Sequence, residues 1–158
     1  MSTLSYFAHS DKGLRERNED SCLAMEKDGV YIFAVAEGMG GPSTGPSAAE
    51  VAVNSLREGG GVSSGSLVEI AESLLACADE ALFHFQEASP ESDPPAVAMT
   101  IALVGPAGEC LVSSPGHRKV FFMPYAPPGG SGAAAGDAPE EPVLHDPGAG
   151  MHEAVLPP

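Results

Sequence analysis

The chain has no tryptophan, and only three tyrosines and six phenylalanines among its 158 residues. Its apolar fraction of 43% leans on Ala and Val, so the expected core is finely divided and not built on large aromatic anchors. The length suits one domain, and a domain of that size buries roughly 70% of its unfolded surface. Basic residues are scarce: seven Lys and Arg stand against 22 Asp and Glu, a net charge of −15. That balance excludes nucleic acid, whose phosphates need Lys and Arg, and anionic membrane surfaces. The acidity serves solubility, or supplies a field that attracts divalent cations. Cysteines are few and scattered, at Cys22, Cys77 and Cys110. With an odd count and no Cys-x-x-Cys pair there is no disulfide framework, and reduced, buried thiols are expected. Residues 1–10 lack a basic region followed by an apolar run and so do not read as a signal peptide. No apolar stretch is long enough to span a bilayer. A cytoplasmic location is the expectation.

The pattern along the chain predicts an α+β fold, with strands, then two helices, then strands. Ser5 to His9 reads as a strand, Ser10 to Gly13 as a turn, and Ser21 to Met25 as a second extended stretch. Lys27-Asp28-Gly29 has hairpin-turn chemistry. Val30 to Ala36 is a continuous apolar run, the mark of a strand buried on both faces. It stops at Glu37, against a glycine-rich loop. Ser47 to Arg57 reads as a helix ended by Gly59-Gly60-Gly61. A second helix starts at Ser66, where Ser66 and Glu69 form a capping box. Leu67, Ile70, Ala71, Leu74, Leu75, Ala78, Leu82 and Phe85 follow helical spacing and predict core packing. Ser89 to Pro95, with three prolines, reads as a loop. Val97 to Val104, Glu109 to Ser113 and Lys119 to Met123 read as strands, the first two joined through Pro106-Ala107-Gly108. Residues 1–123 form the expected domain. Residues 124–158 are rich in Pro, Gly and Ala without Lys or Arg, and are expected to be disordered. Val143, Leu144, Val155 and Leu156 are the residues of that tail able to form a short strand or docking segment.

Two constellations bear chemistry. One is Arg15-x-x-Asn18-Glu19-Asp20; the other is Glu37-Gly38-Met39-Gly40-Gly41 at the end of a buried strand. Carboxylates at strand ends can meet a hard cation, for which oxygen ligands are needed. An arginine can hold a phosphate bidentately. Each element alone also fits a solvated turn or a tight glycine turn. Gly40 to Gly45 is not a phosphate loop, because no Gly-Lys-Ser/Thr follows. A dinucleotide fold is excluded by the absent fingerprint glycines and second βα unit.

In their order and spacing, the pieces resemble the type-2C family of metal-dependent protein serine/threonine phosphatases. Ser10-Asp11-Lys12-Gly13-Leu14-Arg15 followed by Asn18-Glu19-Asp20 resembles the family's opening motif. The strand Ile32 to Ala36 leading into Glu37-Gly38-Met39-Gly40-Gly41, then Gly45 and a helix, resembles its central metal-binding motif. Ala98 to Leu103 stands in the place of a Gly-Thr-Thr strand, and Gly116-His117-Arg118-Lys119 in the place of a Gly-Asp-Ser-Arg strand. The resemblance implies part of a β-sandwich of antiparallel sheets flanked by helices, with the carboxy-terminal half missing. It implies Mg²⁺ or Mn²⁺ as cofactor and a phosphorylated protein as substrate or signalling partner. It places Arg15 at the phosphate-binding arginine, Asp20 at the acidic residue that orients metal-bound water, Glu37 at the metal-bridging aspartate, and Gly38 at the glycine whose carbonyl binds metal.

The chain departs from the family pattern in four ways. Glu37 replaces aspartate, and its extra methylene moves the carboxylate out by about 1.5 Å, one bond length. His117-Arg118-Lys119 replaces Asp-Ser-Arg. Only Thr100 is kept of the Gly-Thr-Thr site. The Ser-Asp-Gly and Asp-Asn motifs that supply further metal-binding aspartates are absent, and His145-Asp146 with His152-Glu153 is the substitute pair the tail offers. Three functions follow: a Mg²⁺/Mn²⁺-dependent phosphoserine/phosphothreonine hydrolase of impaired activity, a non-catalytic pseudophosphatase that binds phosphoproteins or partners, or a fragment without function. Half of a sandwich leaves open edges and an uncovered apolar face, which favours self-association.

Overall fold

The computed structural model describes residues 4–43, 45–59 and 65–114, with the backbone of three later strands at 120–122, 143–145 and 151–155. In chain order the elements are β1 (Asp20–Lys27), β2 (Val30–Gly41), α1 (Ala48–Glu58), α2 (Leu67–Ala88), β3 (Asp93–Val104), β4 (Glu109–Ser113), β5 (Val120–Phe122), β6 (Val143–His145) and β7 (Met151–Val155). The α+β class forms as expected. β1, β2, β3, β4 and β7 make an antiparallel sheet in that order, and β5 pairs with β6 in a separate ladder. Two stretches after Met123 are thus strands, and Met151–Val155 lies beside β4 at the edge of the main sheet. His117 and Asp146 lie outside the described residues.

The β1–β2 hairpin closes through Asp28 and Gly29, with Lys27 opposite Val30. Both turn residues have positive φ, 52° and 82°. This is the two-residue turn whose twist matches the flanking strands. Each helix starts with a capping box. In α1, Glu50 N donates to Ser47 Oγ at 3.1 Å, and Ser47 N donates to Glu50 Oε2 at 2.8 Å. In α2, Ser66 and Glu69 repeat the arrangement, and Ser66 Oγ also donates to Glu69 Oε2 at 3.0 Å. The Ser66 backbone N–H and hydroxyl hold the Glu69 carboxyl below the usual carboxylate range. That cap is present above the ordinary glutamate range and weakens as acid protonates the carboxylate.

Both helices lie on one face of the sheet. Leu23, Ile32, Ala34 and Ala36 pack there with Met99, Ile101, Leu103 and Leu111 against Ala49, Ala52, Val53 and Leu56 of α1 and Ile70, Ala71, Leu74 and Ala78 of α2. Ile32, Leu56, Leu74, Ile101, Leu103 and Leu111 are each at most 1% exposed. Each such side chain contributes about 1.5–3 kcal/mol relative to leaving it in water. The apolar stripe expected on α2 is the face it buries, with Leu75 and Leu82 at its margin.

Four expectations need correction. β2 is not buried on both faces: Ile32, Ala34 and Ala36 face the helices, while Val35 is 50% and Met39 53% exposed on the other side. The continuous apolar run reflects a strand dressed for two layers, with the helices supplying one. β2 also does not stop at Glu37. It continues to Gly41, because β3 begins at Asp93 and pairs with it. Two of the three prolines read as a loop, Pro94 and Pro95, therefore sit inside β3, while Pro90 stays in the connection before it. Pro94 and Pro95 oppose the single residue Gly40 in a bulge, the place in a ladder that tolerates residues without an N–H. Lastly, Ser5 to His9 joins no ladder. Tyr6 instead rests edge-on against the rings of Tyr31 and Phe33, at 5.9 and 5.8 Å, so the segment meets the open face of the sheet through side chains.

The two caps stand on separate helices, so their contributions should add. Ser47→Ala and Ser66→Ala are each expected to cost about 1 kcal/mol. Urea denaturation of both single variants and the double variant checks this, with the double loss near the sum.

Candidate functional site

The chemistry-bearing residues gather where β1 begins. Asp20 is paired with Glu37, and the next rung is Glu19 with Gly38, where Gly38 N donates to Glu19 O at 2.9 Å. Hydrogen-bonded and non-hydrogen-bonded rungs alternate in an antiparallel pair. Asp20 and Glu37 therefore occupy the non-hydrogen-bonded kind, in which opposed side chains come closest and Cα atoms stand about 4.5 Å apart. They share the open face of the sheet with Cys22 and Val35. The ladder thus brings two carboxylates to one end of β1, the kind of oxygen donors that a hard cation takes.

Asp20 is held from two sides. Its N–H donates to Asn18 Oδ1 at 3.1 Å, and its carbonyl accepts from Ser10 Oγ at 3.2 Å. Asn18 Nδ2 in turn donates to Ser10 Oγ at 2.9 Å, closing the network. Asp20 Oδ1 is buried without a hydrogen-bond partner. A buried acceptor left unmade costs about 1–3 kcal/mol, more when charged. Such an atom in a native fold points to a ligand, an ion or water. An open cleft of about 380 Å³ lies over the pair, lined by His9, Ser10, Asp11, Asp20, Ser21, Cys22, Val35, Ala36 and Glu37.

Gly38 and Gly40 have different duties. A Cβ on Gly38 would lie 2.8 Å from Glu19 O and 2.9 Å from Ala49 N, both backbone atoms. The missing side chain lets the first turn of α1 touch β2 directly beside the carboxylate pair. Gly40 has φ +70°, and a Cβ there would strike the Pro94 carbonyl across the bulge.

Of the residues singled out from the sequence, Asp20 and Glu37 meet across one rung and both line the cleft, with Gly38 on the adjoining rung. Arg15 is exposed on the preceding loop and is not among the cleft's lining residues. Among the described residues no three of His, Cys, Asp and Glu form a group able to hold a metal. Two facing carboxylates with an orphaned oxygen still fit a hard cation of the Mg²⁺ kind, which binds through one or two carboxylates and keeps several waters. Thr100 is buried, its hydroxyl 2.6 Å from that of Ser114. The cysteines differ from expectation: Cys110 is buried, and burial pushes its thiol up, but Cys22 and Cys77 are partly exposed and Cys22 lines the cleft. Sequence reasoning missed Ser10 and Asn18 as anchors of Asp20. The signal was present in Asn18, two residues ahead of Asp20, the spacing of an Asx turn. It also did not single out Arg17, whose guanidinium donates to the carbonyls of Pro42 and Gly45.

The sheet with two helices on one face is a partial type-2C-phosphatase-like fold. The chain is similar in structure to the serine/threonine phosphatase PstP/Ppp of Mycobacterium tuberculosis, with a TM-score of 0.59 and 23% identity over 72% of this chain. It spans about half of that structure, 47% of its length. No family model matches the chain, and no curated protein does. Among the described residues, no helix is long and apolar enough to cross a membrane.

Gly38→Ala adds one methyl between two backbones. It is expected to destabilise the protein by about 1–3 kcal/mol, the usual scale of overpacking, as measured by urea or thermal unfolding.

Proposed function

We propose that this protein is a Mg²⁺- or Mn²⁺-dependent phosphatase of low turnover, acting on phosphoserine and phosphothreonine in proteins. One observation carries the reading: Asp20 and Glu37 face each other across a non-hydrogen-bonded rung, in a cleft, with Asp20 Oδ1 buried and unpartnered. The fold shared with a serine/threonine phosphatase supports it. Asp20 and Glu37 would hold the ion, with the Gly38 carbonyl as the further oxygen that the motif suggests. Bound there, a divalent ion supplies Lewis acidity toward a phosphoryl oxygen and makes water a better nucleophile at neutral pH. Asn18 and Ser10 hold the Asp20 backbone, which fixes where its side chain leaves the strand. Arg15 would receive the phosphate, its guanidinium matching two phosphoryl oxygens. Low turnover follows from Glu37. Mg²⁺ demands near-octahedral geometry, and the longer arm would displace one carboxylate of the pair.

A second reading, a non-catalytic module that binds phosphoproteins, is favoured by the exposed position of Arg15 outside the cleft lining and by the lack of a three-ligand group among the described residues.

Calorimetric Mn²⁺ titration and hydrolysis of a phosphothreonyl peptide, run on the protein with Asp20→Ala and Glu37→Asp, separate the two. Asp20→Ala is expected to weaken Mn²⁺ binding by more than about tenfold, a scale that even outer-shell partners reach, and to abolish turnover. Glu37→Asp is expected to raise turnover and to improve Mg²⁺ relative to Mn²⁺. Turnover that survives Asp20→Ala, or no Mn²⁺ heat from the unaltered protein, overturns the metal site. Mn²⁺ and peptide binding without turnover, even in Glu37→Asp, establishes the binding module instead.

A further inference from the structure

The loop between the Ser10–Asp11 corner and Asn18 has little to hold it. Its internal contacts are local: Gly13 N donates to Asp11 Oδ1 at 2.7 Å, and Arg15 N to Lys12 O at 3.1 Å. Residues 13–16 are exposed, and Leu14, the loop's one apolar side chain, is fully in solvent. No hydrophobic anchor seats this loop, yet it carries Arg15.

Arg17 is different. Its Nη1 donates to Pro42 O at 3.0 Å and its Nη2 to Gly45 O at 2.7 Å. One guanidinium thus reaches two carbonyls of the segment between β2 and α1. Charged donors make hydrogen bonds roughly twice as strong as neutral ones. The planar fork fixes both partners at once, which a lysine cannot copy. Between Gly13 and Arg17 these are the only hydrogen bonds among the described residues that leave the loop.

We propose that Arg17 is a positioning residue: it staples the Arg15 loop to the chain leaving β2, and so sets where the phosphate-binding group stands relative to the Asp20–Glu37 pair. The inference rests on the phosphatase reading. It also says that the two halves of the site are positioned separately. Asp20 is fixed by Asn18 and Ser10, whose bonds do not involve Arg17. Loss of the staple should therefore release Arg15 without releasing the carboxylates. Holding a catalytic or binding group within a fraction of an ångström is what separates a working site from a loose one.

The test uses the full chain, Arg17→Ala, Arg17→Lys and Arg15→Ala. Mn²⁺ is titrated calorimetrically, then inorganic phosphate is titrated onto the Mn²⁺-loaded protein. Arg17→Ala is expected to weaken phosphate on the order of tenfold, a loss of about 1.4 kcal/mol, while Mn²⁺ affinity stays within about twofold. Arg17→Lys, which keeps the charge and one bond, should fall between. A purely structural role would lower both affinities together, and that result overturns the proposal. Unchanged phosphate affinity in Arg17→Ala overturns it as well. If Arg15→Ala binds phosphate as the unaltered protein does, the staple has no phosphate group to position and the proposal fails while the metal site stands. If the unaltered protein binds neither Mn²⁺ nor phosphate, the phosphatase reading fails and takes this inference with it.

Discussion

The register of the β1–β2 hairpin is the constraint on which the rest depends. A two-residue turn at Asp28–Gly29 fixes it, and seven rungs further along it sets Asp20 opposite Glu37. A slip of one residue would turn every side chain of β1 to the other face. Leu23 would leave the helices, and Asp20 would leave the cleft. The burial of Leu23, with the unbroken pairing through to Lys27 and Val30, therefore protects the carboxylate pair as well as the core. Fold stability and site geometry are set by the same hydrogen-bond ladder.

Much of this was legible because its causes are local. Asp-Gly between two extended runs defines a hairpin, and Ser66 with Glu69 ahead of a helical stripe defines a helix start, whatever the rest of the chain does. The α+β class followed from the order of such elements. Expectations that failed depend on distant partners. Pro94 and Pro95 read as loop because nothing nearby says that Gly40 lies opposite them in a bulge. Val30 to Ala36 read as doubly buried because composition reports what a strand is suited to, not which layers surround it. At the site, the resemblance drew attention to Asp20 and Glu37, but their meeting on one rung comes from the register. Arg17 was illegible, since its partners are carbonyls 25 and 28 residues away, and a carbonyl has no sequence signature.

The two faces of β2 divide its labour. Toward the helices its side chains shrink along the strand, from Ile32 through Ala34 and Ala36 to Gly38, all buried. Helix and strand backbones come into direct approach at Gly38, where Ala49 of α1 takes the space a side chain would need. Toward the other side the same strand presents Tyr31, Phe33, Val35, Glu37 and Met39. Large apolar residues mark a surface suited to a second layer, and the one acid among them sits where β1 begins.

The same taper sets where the helix end stands. The first turn of α1 touches β2 at the rung beside Asp20 and Glu37, on the face of the sheet opposite to the one those two side chains share. A helix amino terminus stabilises a nearby anion by about 0.3–1 kcal/mol in exposed settings, and Glu50 already occupies this one through the capping box. That helix end therefore serves Glu50, while the Asp20 side chain, with one oxygen buried, stands on the other side of the sheet. An oxygen-seeking cation is the kind of partner that the buried Asp20 oxygen fits. The glycine that brings helix and strand together gives the rung beside the pair a closely packed support from behind.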